Sequence, residues 1–205
     1  MTISFKDKVV IVTGAGGGLG RSHSLEFAKR GAKVVVNDLG GSVDGSGGSS
    51  DAANNVVKEI TESGGVAIPN GSSVTDDDGV KNMVDQTMDE FGRIDILINN
   101  AGILRDRSFT KMTMEDFTLV TDIHLMGSVK PTKMVWEIMK EQNYGRILVT
   151  TSSTGLYGNF GQSNYGAAKL GVVGFINTLK LEGQKYISNT FSSSKYFKRK
   201  NSEDF

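Results

Sequence analysis

Hydroxyl and amine side chains are concentrated in one stretch of the sequence, TTSSTGLYGNFGQSNYGAAK, residues 150–169. Ser152 is followed 13 residues later by Tyr165, and Lys169 lies four residues beyond the tyrosine. If the segment from the tyrosine onward is helical, the phenol and the ammonium lie one turn apart on the same face. A cation beside a phenol can favour its phenolate and so support proton transfer. The same spacing also occurs on amphipathic helix surfaces, so the stretch alone leaves both interpretations open.

A second group of residues could bind phosphate. In TGAGGGLGR, Gly14, Gly18 and Gly20 lie between the apolar run KVVIV and the helical pattern LGRSHSLEFAKRG, with Leu19 in the same turn. Glycines at this point let a helix N-terminus approach a pyrophosphate closely. Asp38 follows the next apolar run, where a carboxylate can accept hydrogen bonds from both ribose hydroxyls of NAD and would repel the 2′-phosphate of NADP. The pattern predicts an NAD site, and the alternative is a glycine-rich connector followed by a turn-forming aspartate.

Alternating strands and helices would position these residues. Five short runs, KVVIVTG, KVVVND, GVAIP, RIDILINN and RILVTTSS, are nearly continuous in apolar residues, as expected for a parallel sheet covered on both faces. Helical patterns lie between them, such as the apolar positions of residues 80–91 before Gly92. This alternation predicts an α/β fold, a doubly wound Rossmann-like parallel sheet in three α/β/α layers. We expect one domain over residues 1–186.

Composition excludes several other function classes. The chain has 205 residues with 23 basic and 23 acidic side chains, so its formal net charge is zero and no global field favours nucleic acid or an anionic membrane. It has no cysteine and only two histidines, which excludes disulfides and argues against a metal centre. No apolar run reaches the roughly 18 residues of a membrane span. We therefore expect no metal, nucleic-acid or membrane partner.

Taken in order, these signals resemble the short-chain dehydrogenase/reductase family. The resemblance covers residues 5–186 and rests on TGAGGGLG, on NNAG at residues 99–102, and on Ser152, Tyr165 and Lys169. The stretches VVVNDLGG, NNAGILRDRSF and YGNFGQSNYGAAK are similar to one branch, the dehydrogenase unit of the peroxisomal multifunctional enzymes of type 2. The resemblance implies an oxidoreductase that oxidises (3R)-hydroxyacyl-CoA to 3-ketoacyl-CoA with NAD in fatty acid beta-oxidation.

The resemblance also implies a role for each residue of the first stretch. Tyr165 is the candidate general base, since an alcohol loses hydride only as its O–H proton leaves. A tyrosine with an ordinary pKa of about 10 is a poor base at neutral pH unless a cation such as Lys169 favours its phenolate. Lys169, with Tyr165 beside it, would also hold the cofactor ribose, and Ser152 would hydrogen-bond the substrate oxygen. Ser153 misses the family spacing, and we expect Tyr157 to pack near the substrate entrance.

Further residues would surround the cofactor. They follow the third and fourth strands and are Ser73, Val74, Asn100, Ala101 and Gly102. In the family, a turn of small residues after the fourth strand lets the backbone pack against the cofactor. Asn99 would tie neighbouring strands together. The charged loop 105–107 is expected to be solvated, with an acyl-CoA phosphate as the alternative partner.

Three features depart from the general family pattern. His124 stands in TDIHLMG where many members have asparagine, as it does in the narrower branch, and either its ring or only its backbone could matter. Pro131 should kink a continuous helix unless the helix is already broken near Gly127. The segment ISNTFSSSKYFKRKNSEDF replaces the family's sixth and seventh strands. We expect residues 187–205 to form a disordered tail and RILVTTSS to become an edge of the sheet.

Two functional hypotheses of different classes follow. In the first, the chain is a working NAD-dependent dehydrogenase of a small-molecule substrate, an acyl-CoA or alternatively a steroid or other short-chain alcohol. In the second, it is a truncated, noncatalytic partner of a full-length form. We expect a homodimer, or a heterodimer with that form, through helices at residues 113–142 and 162–184. Family resemblance implies a peroxisomal location, with the cytoplasm as the alternative because no peroxisomal signal is present in the chain.

Overall fold

Six parallel strands form the centre of the fold. In the computed structural model, which describes residues 3–47 and 51–194, the strands are β1 (Val9–Thr13), β2 (Lys33–Asn37), β3 (Val66–Asn70), β4 (Ile96–Asn99), β5 (Gly145–Ser152) and β6 (Ile187–Ser194). Their order across the sheet is β3-β2-β1-β4-β5-β6. The chain crosses from one half of the sheet to the other between β3 and β4. Sheets of this kind bind ligands where the strand order reverses, which here is at the carboxyl ends of β1 and β4.

Helices connect the strands and cover both faces of the sheet. In the described part of the chain they are α1 (Gly18–Lys29), α2 (Asp51–Glu62), α3 (Asp77–Phe91), α4 (Met114–Thr121), α5 (Gly127–Glu141), α6 (Ser153–Tyr157) and α7 (Ser163–Glu182). A π-helical turn, Asp122–Met126, joins α4 to α5. None of these helices is long and apolar enough to cross a membrane.

The apolar core consists of two layers, one on each face of the sheet. Successive residues of β1 enter opposite layers, as the alternation of a strand requires. Val10 and Val12 pack in the layer that contains the buried side chains of α1 and α2. Ile11 packs in the layer that contains those of α3, α5 and α7. The predicted doubly wound, three-layer α/β/α architecture is therefore confirmed.

A π-helical turn interrupts the helical segment between β4 and β5, shortly before Pro131. Pro131 lies inside α5 and is buried. The π-helical turn ends at Met126, so the hydrogen-bonding pattern changes immediately before the turn that contains the proline. Gly127 N–H donates to the carbonyl of Asp122, five residues earlier. We expected Pro131 to kink the helix unless the helix was already broken near Gly127. The π-helical turn is such a break.

Residues 187–194 form strand β6, where the sequence predicted a disordered tail. β6 pairs in parallel with β5 from Gly145↔Ile187 to Ser152↔Ser194. The predictions that these residues are disordered, that the sixth strand is missing and that β5 is the sheet edge are therefore wrong. The physical reason is that strand pairing uses backbone groups, which the polar run ISNTFSSS supplies, while Ile187 anchors the strand in the core. Residues 195–205 of the predicted tail lie outside the described residues.

The anchoring of β6 can be tested with one buried and one exposed position. Ile187 is 4% exposed, so Ile187→Ala is expected to cost about 2–5 kcal/mol of unfolding free energy. Ser188 is exposed on the same strand, and Ser188→Ala is expected to change that free energy by less than about 0.5 kcal/mol. Urea denaturation of both variants measures the difference. Equal stabilities would show that β6 does not anchor the sheet.

Candidate active site and cofactor crevice

The glycine loop, residues 14–20, folds tightly onto the turn that follows β4. Gly14 and Gly18 have positive φ angles of +62° and +51°. A Cβ atom on Gly20 would lie 2.1 Å from the carbonyl oxygen of Gly14, and one on Gly14 would lie 2.7 Å from Cα of Ala101. A Cβ atom on Gly17 or Gly18 would have no neighbour within 4 Å. A Cβ atom on Gly16 would lie 2.6 Å from Cβ of Ala52. Three glycines of the loop therefore permit close packing, and Gly17 and Gly18 leave open space beside the backbone.

That open space lies at the N-terminus of α1. Gly17 caps the helix without a side-chain hydrogen bond, and the first turn holds no acidic residue. Leu19, in that turn, is exposed. The first amides of a helix point outward and carry partial positive charge, which suits an anion. The donor set and the uncovered backbone therefore fit the pyrophosphate of a dinucleotide.

Asp38 lies beside the glycine loop, directly after β2. Its Oδ2 accepts a hydrogen bond from Gly16 N–H at 2.7 Å, and its Oδ1 accepts one from Gly40 N–H at 2.7 Å. Because a carboxylate can accept about four hydrogen bonds, both oxygens keep acceptor capacity for a ribose. The carboxylate is half-buried and held in a fixed orientation at one end of the crevice.

Thr13, the last residue of β1, holds the turn after β4, a role that the sequence analysis missed. Its Oγ1 accepts hydrogen bonds from Asn100 N–H at 3.0 Å and Ala101 N–H at 3.1 Å. The Asn100 amide donates to the carbonyls of Thr13 and Gly14, both at 3.1 Å, and its Oδ1 accepts from Thr150 Oγ1 at 3.3 Å. Asn100 therefore joins the carboxyl ends of β1, β4 and β5. The only sequence signal was a threonine directly before the first glycine.

Asn99 was predicted to tie neighbouring strands, and that prediction is wrong. Its Nδ2 donates to Thr132 Oγ1 at 2.9 Å, on α5. Successive strand residues point to opposite faces, so Asn99 faces the helix while Asn100 faces the strand ends.

Ser73 and Val74 follow β3. Val74 is buried against the first residue of α5, since a Cβ atom on Gly127 would lie 2.7 Å from its Cγ2. Asn37 Nδ2 donates to the carbonyl of Ser72 at 2.9 Å, which holds this loop next to the end of β2. Contact of Ser73 and Val74 with an adenine stays a prediction.

Ser152 ends β5 and caps α6. Its Oγ accepts a hydrogen bond from Thr154 N–H at 3.2 Å. A hydroxyl that accepts one hydrogen bond keeps its own proton for donation, so Ser152 can still donate to a substrate oxygen. Ser153 is the first residue of α6. Tyr157, at the end of that helix, is 85% exposed, so the expectation that it packs is wrong. Its position near a substrate entrance stays a prediction.

Tyr165 and Lys169 lie one turn apart on α7, near the end of β5. Lys169 Nζ is 5.5 Å from the centroid of the Tyr165 ring and donates to the carbonyl of Thr150 at 2.6 Å. The lysine side chain is buried, and burial lowers its pKa to about 8. A group with that pKa is still mostly protonated at neutral pH. The ammonium is therefore available to stabilise a phenolate.

His124 lies in the π-helical turn and joins the turn after β4 to the tyrosine. Its Nε2 lies 2.8 Å from the carbonyl oxygen of Ile103, and its ring meets that of Tyr165 edge to face with centroids 5.0 Å apart. A Cβ atom on Gly102 would lie 2.2 Å from the imidazole Cε1, so only glycine leaves room for this ring. Burial, assisted by the nearby charge of Lys169, lowers the pKa of His124 to about 3. The imidazole is therefore neutral, and its ring makes these contacts.

The charged loop 105–107 was expected to be solvated, which is wrong for its first residue. Arg105 forms an ion pair with Asp116 on α4, with 2.7 Å between NH1 and Oδ1. Its Nε donates to the carbonyl of Asp44 at 2.9 Å. Arg107 is exposed, and its guanidinium donates to the carbonyl of the preceding residue. The first arginine is therefore structural, and the second faces solvent.

The sequence of the chain matches one known protein family over most of its length. A family model described as short chain dehydrogenase matches residues 8–190. The chain belongs to the short chain dehydrogenase family. Membership implies an oxidoreductase site with a nicotinamide cofactor of the NAD(P) class, and the glycine loop, Asp38 and the turn after β4 would hold it.

Known members of the short chain dehydrogenase family include long relatives of this chain. The peroxisomal multifunctional enzyme A of Dictyostelium discoideum is 59% identical over 184 residues, which are 90% of this chain and 41% of that protein. The peroxisomal multifunctional enzyme type 2 of Mus musculus is 54% identical over 183 residues, 89% of this chain and 24% of that protein. The chain therefore spans less than half the length of these relatives.

A solved structure of the same family shows a cofactor and a ligand. It is a 7 alpha-hydroxysteroid dehydrogenase complexed with NADH and 7-oxo glycochenodeoxycholic acid. It is 29% identical to this chain with a TM-score of 0.84, and the match covers 92% of this chain and 70% of that one.

Alanine substitutions at Gly20 and Gly17 distinguish an effect on folding stability from an effect on cofactor binding. Gly20→Ala is expected to destabilise the protein by about 1–3 kcal/mol, because its methyl group would collide with the Gly14 carbonyl. Gly17→Ala has room and an extended backbone, so its stability should stay within about 1 kcal/mol of the parent. Its methyl group would nevertheless cover the helix N-terminus and weaken NADH binding. Thermal unfolding and fluorescence titration with NADH measure the two effects, and normal NADH affinity in Gly17→Ala would contradict the pyrophosphate site.

Proposed function

We propose that the chain oxidises the secondary alcohol of a (3R)-hydroxyacyl-CoA to a 3-ketoacyl-CoA, with NAD as cofactor, as a step of fatty acid beta-oxidation. The observation that carries this proposal is the position of the buried Lys169 ammonium, 5.5 Å from the centre of the Tyr165 ring. The substrate class is supported by the resemblance to the multifunctional branch, with identities of 59% and 54%, against 29% for the steroid dehydrogenase.

Tyr165 would act as the general base. A bound nicotinamide cofactor supplies the acceptor for the hydride of the alcohol carbon. Tyr165, as the phenolate, takes the hydroxyl proton at its phenolic oxygen, so that the substrate C–O bond can become a carbonyl. The Ser152 hydroxyl donates a hydrogen bond to the same substrate oxygen and limits the negative charge that develops there.

Lys169 would supply the electrostatic part of this step. In a buried site the attraction between ammonium and phenolate is weakly screened, so a lysine one turn away favours the ionised tyrosine. One of its three N–H groups donates to Thr150, which leaves two for the ribose hydroxyls of the cofactor. His124 is neutral and adds no competing charge. The same lysine can therefore hold the cofactor and stabilise the base.

Removal of the phenolic oxygen tests the proposed base. Tyr165→Phe should lower the turnover of a (3R)-hydroxyacyl-CoA with NAD by at least about 100-fold to 10,000-fold, as expected for a lost general base. Its affinity for NADH should stay close to that of the parent. Tyr157→Phe is the matched control, because that tyrosine is exposed and should give normal turnover. Comparable turnover in Tyr165→Phe and the parent would overturn the assignment.

Asp38 would select NAD over NADP. Its carboxylate is fixed at the end of β2, where it can accept hydrogen bonds from both ribose hydroxyls and would repel a phosphate in place of one of them. Asp38→Ala is expected to weaken NAD binding and to narrow the difference between the two cofactors. Isothermal titration of parent and variant with NAD and NADP measures this. Equal affinities of the unmutated chain for both cofactors would sink the assignment.

A steroid alcohol is the second candidate substrate, favoured by the match to the steroid dehydrogenase at a TM-score of 0.84. Parallel assays with a hydroxysteroid and a (3R)-hydroxyacyl-CoA discriminate between the two. A chain that binds NADH but oxidises neither would support the noncatalytic alternative.

The dimer through residues 113–142 and 162–184 stays a prediction. So does the peroxisomal location, although both relatives are named peroxisomal.

A further inference from the structure

Residues 39–47 form a strap across the cofactor crevice. The strap begins after Asp38, whose carboxylate accepts a hydrogen bond from Gly16 N–H in the glycine loop. It reaches the loop after β4, where Leu104 N–H donates to the carbonyl of Val43 at 2.8 Å. Because β1 lies between β2 and β4 in the sheet, the strap passes over the carboxyl end of β1, where the glycine loop begins.

The strap has its own internal hydrogen bonds in spite of its glycine content. The Asp44 carboxylate accepts hydrogen bonds from the Ser42 hydroxyl and from the hydroxyl and N–H of Ser46. These bonds hold the pKa of Asp44 well below its usual range. Ser42 N–H also donates to the carbonyl of Ser46 at 2.8 Å. The tip of the strap is therefore a preformed turn held by its own hydrogen bonds.

Arg105 fastens this turn to the rest of the site. Its Nε holds the Asp44 carbonyl at 2.9 Å, while its NH1 holds the Asp116 carboxylate on α4 at 2.7 Å. Its own carbonyl accepts a hydrogen bond from Asn164 Nδ2 at 3.2 Å. Asn164 is fully buried and directly precedes Tyr165 on α7. One residue thus joins the strap, α4 and the start of the catalytic helix.

We propose that Arg105 is a positioning residue that latches the strap over the adenosine half of the cofactor and slows cofactor release. The strap begins at Asp38, the carboxylate proposed to hold the adenosine ribose, so a closed strap lies beside that sugar. Leu39 and Val43 on the strap are 53% and 67% exposed, which leaves apolar side chains available to cover an adenine ring. This proposal rests on the proposed cofactor site.

The guanidinium of an arginine suits both contacts of the latch. Its planar guanidinium presents donors in different directions, here one to a carbonyl and one to a carboxylate. A lysine keeps the charge opposite Asp116, but it is a compact point charge on a flexible stem. The strap contact and the ion pair can therefore be separated by substitution.

Stopped-flow measurement of NADH release from the full chain tests the latch. Arg105→Met should release NADH about tenfold faster and raise its Kd by a similar factor, as expected for the loss of a charge-assisted hydrogen bond. Arg107→Met is the matched control, since it removes an exposed arginine two residues away and should leave NADH release unchanged. Equal release rates for the two variants, with normal binding by the parent, would overturn the latch alone. Failure of the unmutated chain to bind NADH would overturn the cofactor site and the latch together.

Two further variants distinguish the strap from general destabilisation. Arg105→Lys should release NADH nearly as fast as Arg105→Met while keeping most of the stability, because the charge opposite Asp116 is retained. Asp116→Asn should lower the stability, because it removes the ion pair, but should release NADH at close to the parent rate. If Asp116→Asn released NADH as fast as Arg105→Met, the effect would act through α4, and the strap would not be responsible.

Limited proteolysis reports on the strap without any catalytic assay. Thermolysin cleaves before apolar residues, and Leu39 and Val43 are its expected sites on the strap. Arg105→Met should be cut there faster than Arg107→Met, and NADH should slow the cutting of the parent more than that of Arg105→Met. Mass spectrometry of the fragments identifies the cleavage sites. Identical rates of cleavage at these sites in the two variants would overturn the proposal.

Discussion

The hydrogen bonds of Asn100 hold together the strand ends on which the whole site depends. Parallel strands have no direct connection at their carboxyl ends, so the relative positions of β1, β4 and β5 there depend on side chains. Asn100 bonds to Thr13 and Gly14 on one side and to Thr150 on the other. The Thr150 carbonyl in turn receives the Lys169 ammonium. A continuous chain of contacts therefore runs from the glycine loop to Lys169, and it fixes the distance between the proposed phosphate site and the proposed proton-transfer site.

Burial of charge is the main energetic cost of this arrangement. Lys169 is removed from water, which is unfavourable for an ammonium and lowers its pKa. The buried ammonium is held by the carbonyl of Thr150 and lies next to the ring of Tyr165. His124 lies in the same region but avoids the cost of a buried charge, because its lowered pKa keeps the imidazole neutral. Its Nδ1 is buried with no hydrogen-bond partner among the described residues, a further cost that the packing of the site must offset.

The sequence allowed a good prediction wherever the determining interactions are local. Continuous apolar runs identified β1 to β5, and glycine spacing located the loop before α1. Strand β6 was missed because its residues are polar and its pairing with β5 uses backbone groups that every sequence has. The bonds of Thr13 and Arg105 were missed for another reason. Thr13 bonds to residues 87 and 88 positions away, and Arg105 to one 61 positions away, and no pattern in a single sequence marks such partners.

The contact between Gly102 and His124 has a consequence for how this site can change over generations. The imidazole occupies the volume that any side chain at position 102 would need, since a Cβ atom there would lie 2.2 Å from the ring. A larger residue can therefore replace Gly102 only after a smaller residue has replaced His124. In the reverse order, the new side chain at position 102 would clash with the imidazole. The two positions form an ordered pair in which one substitution must come first. Among relatives that carry histidine at position 124, glycine at position 102 is expected to be invariant, which an alignment of such relatives would show.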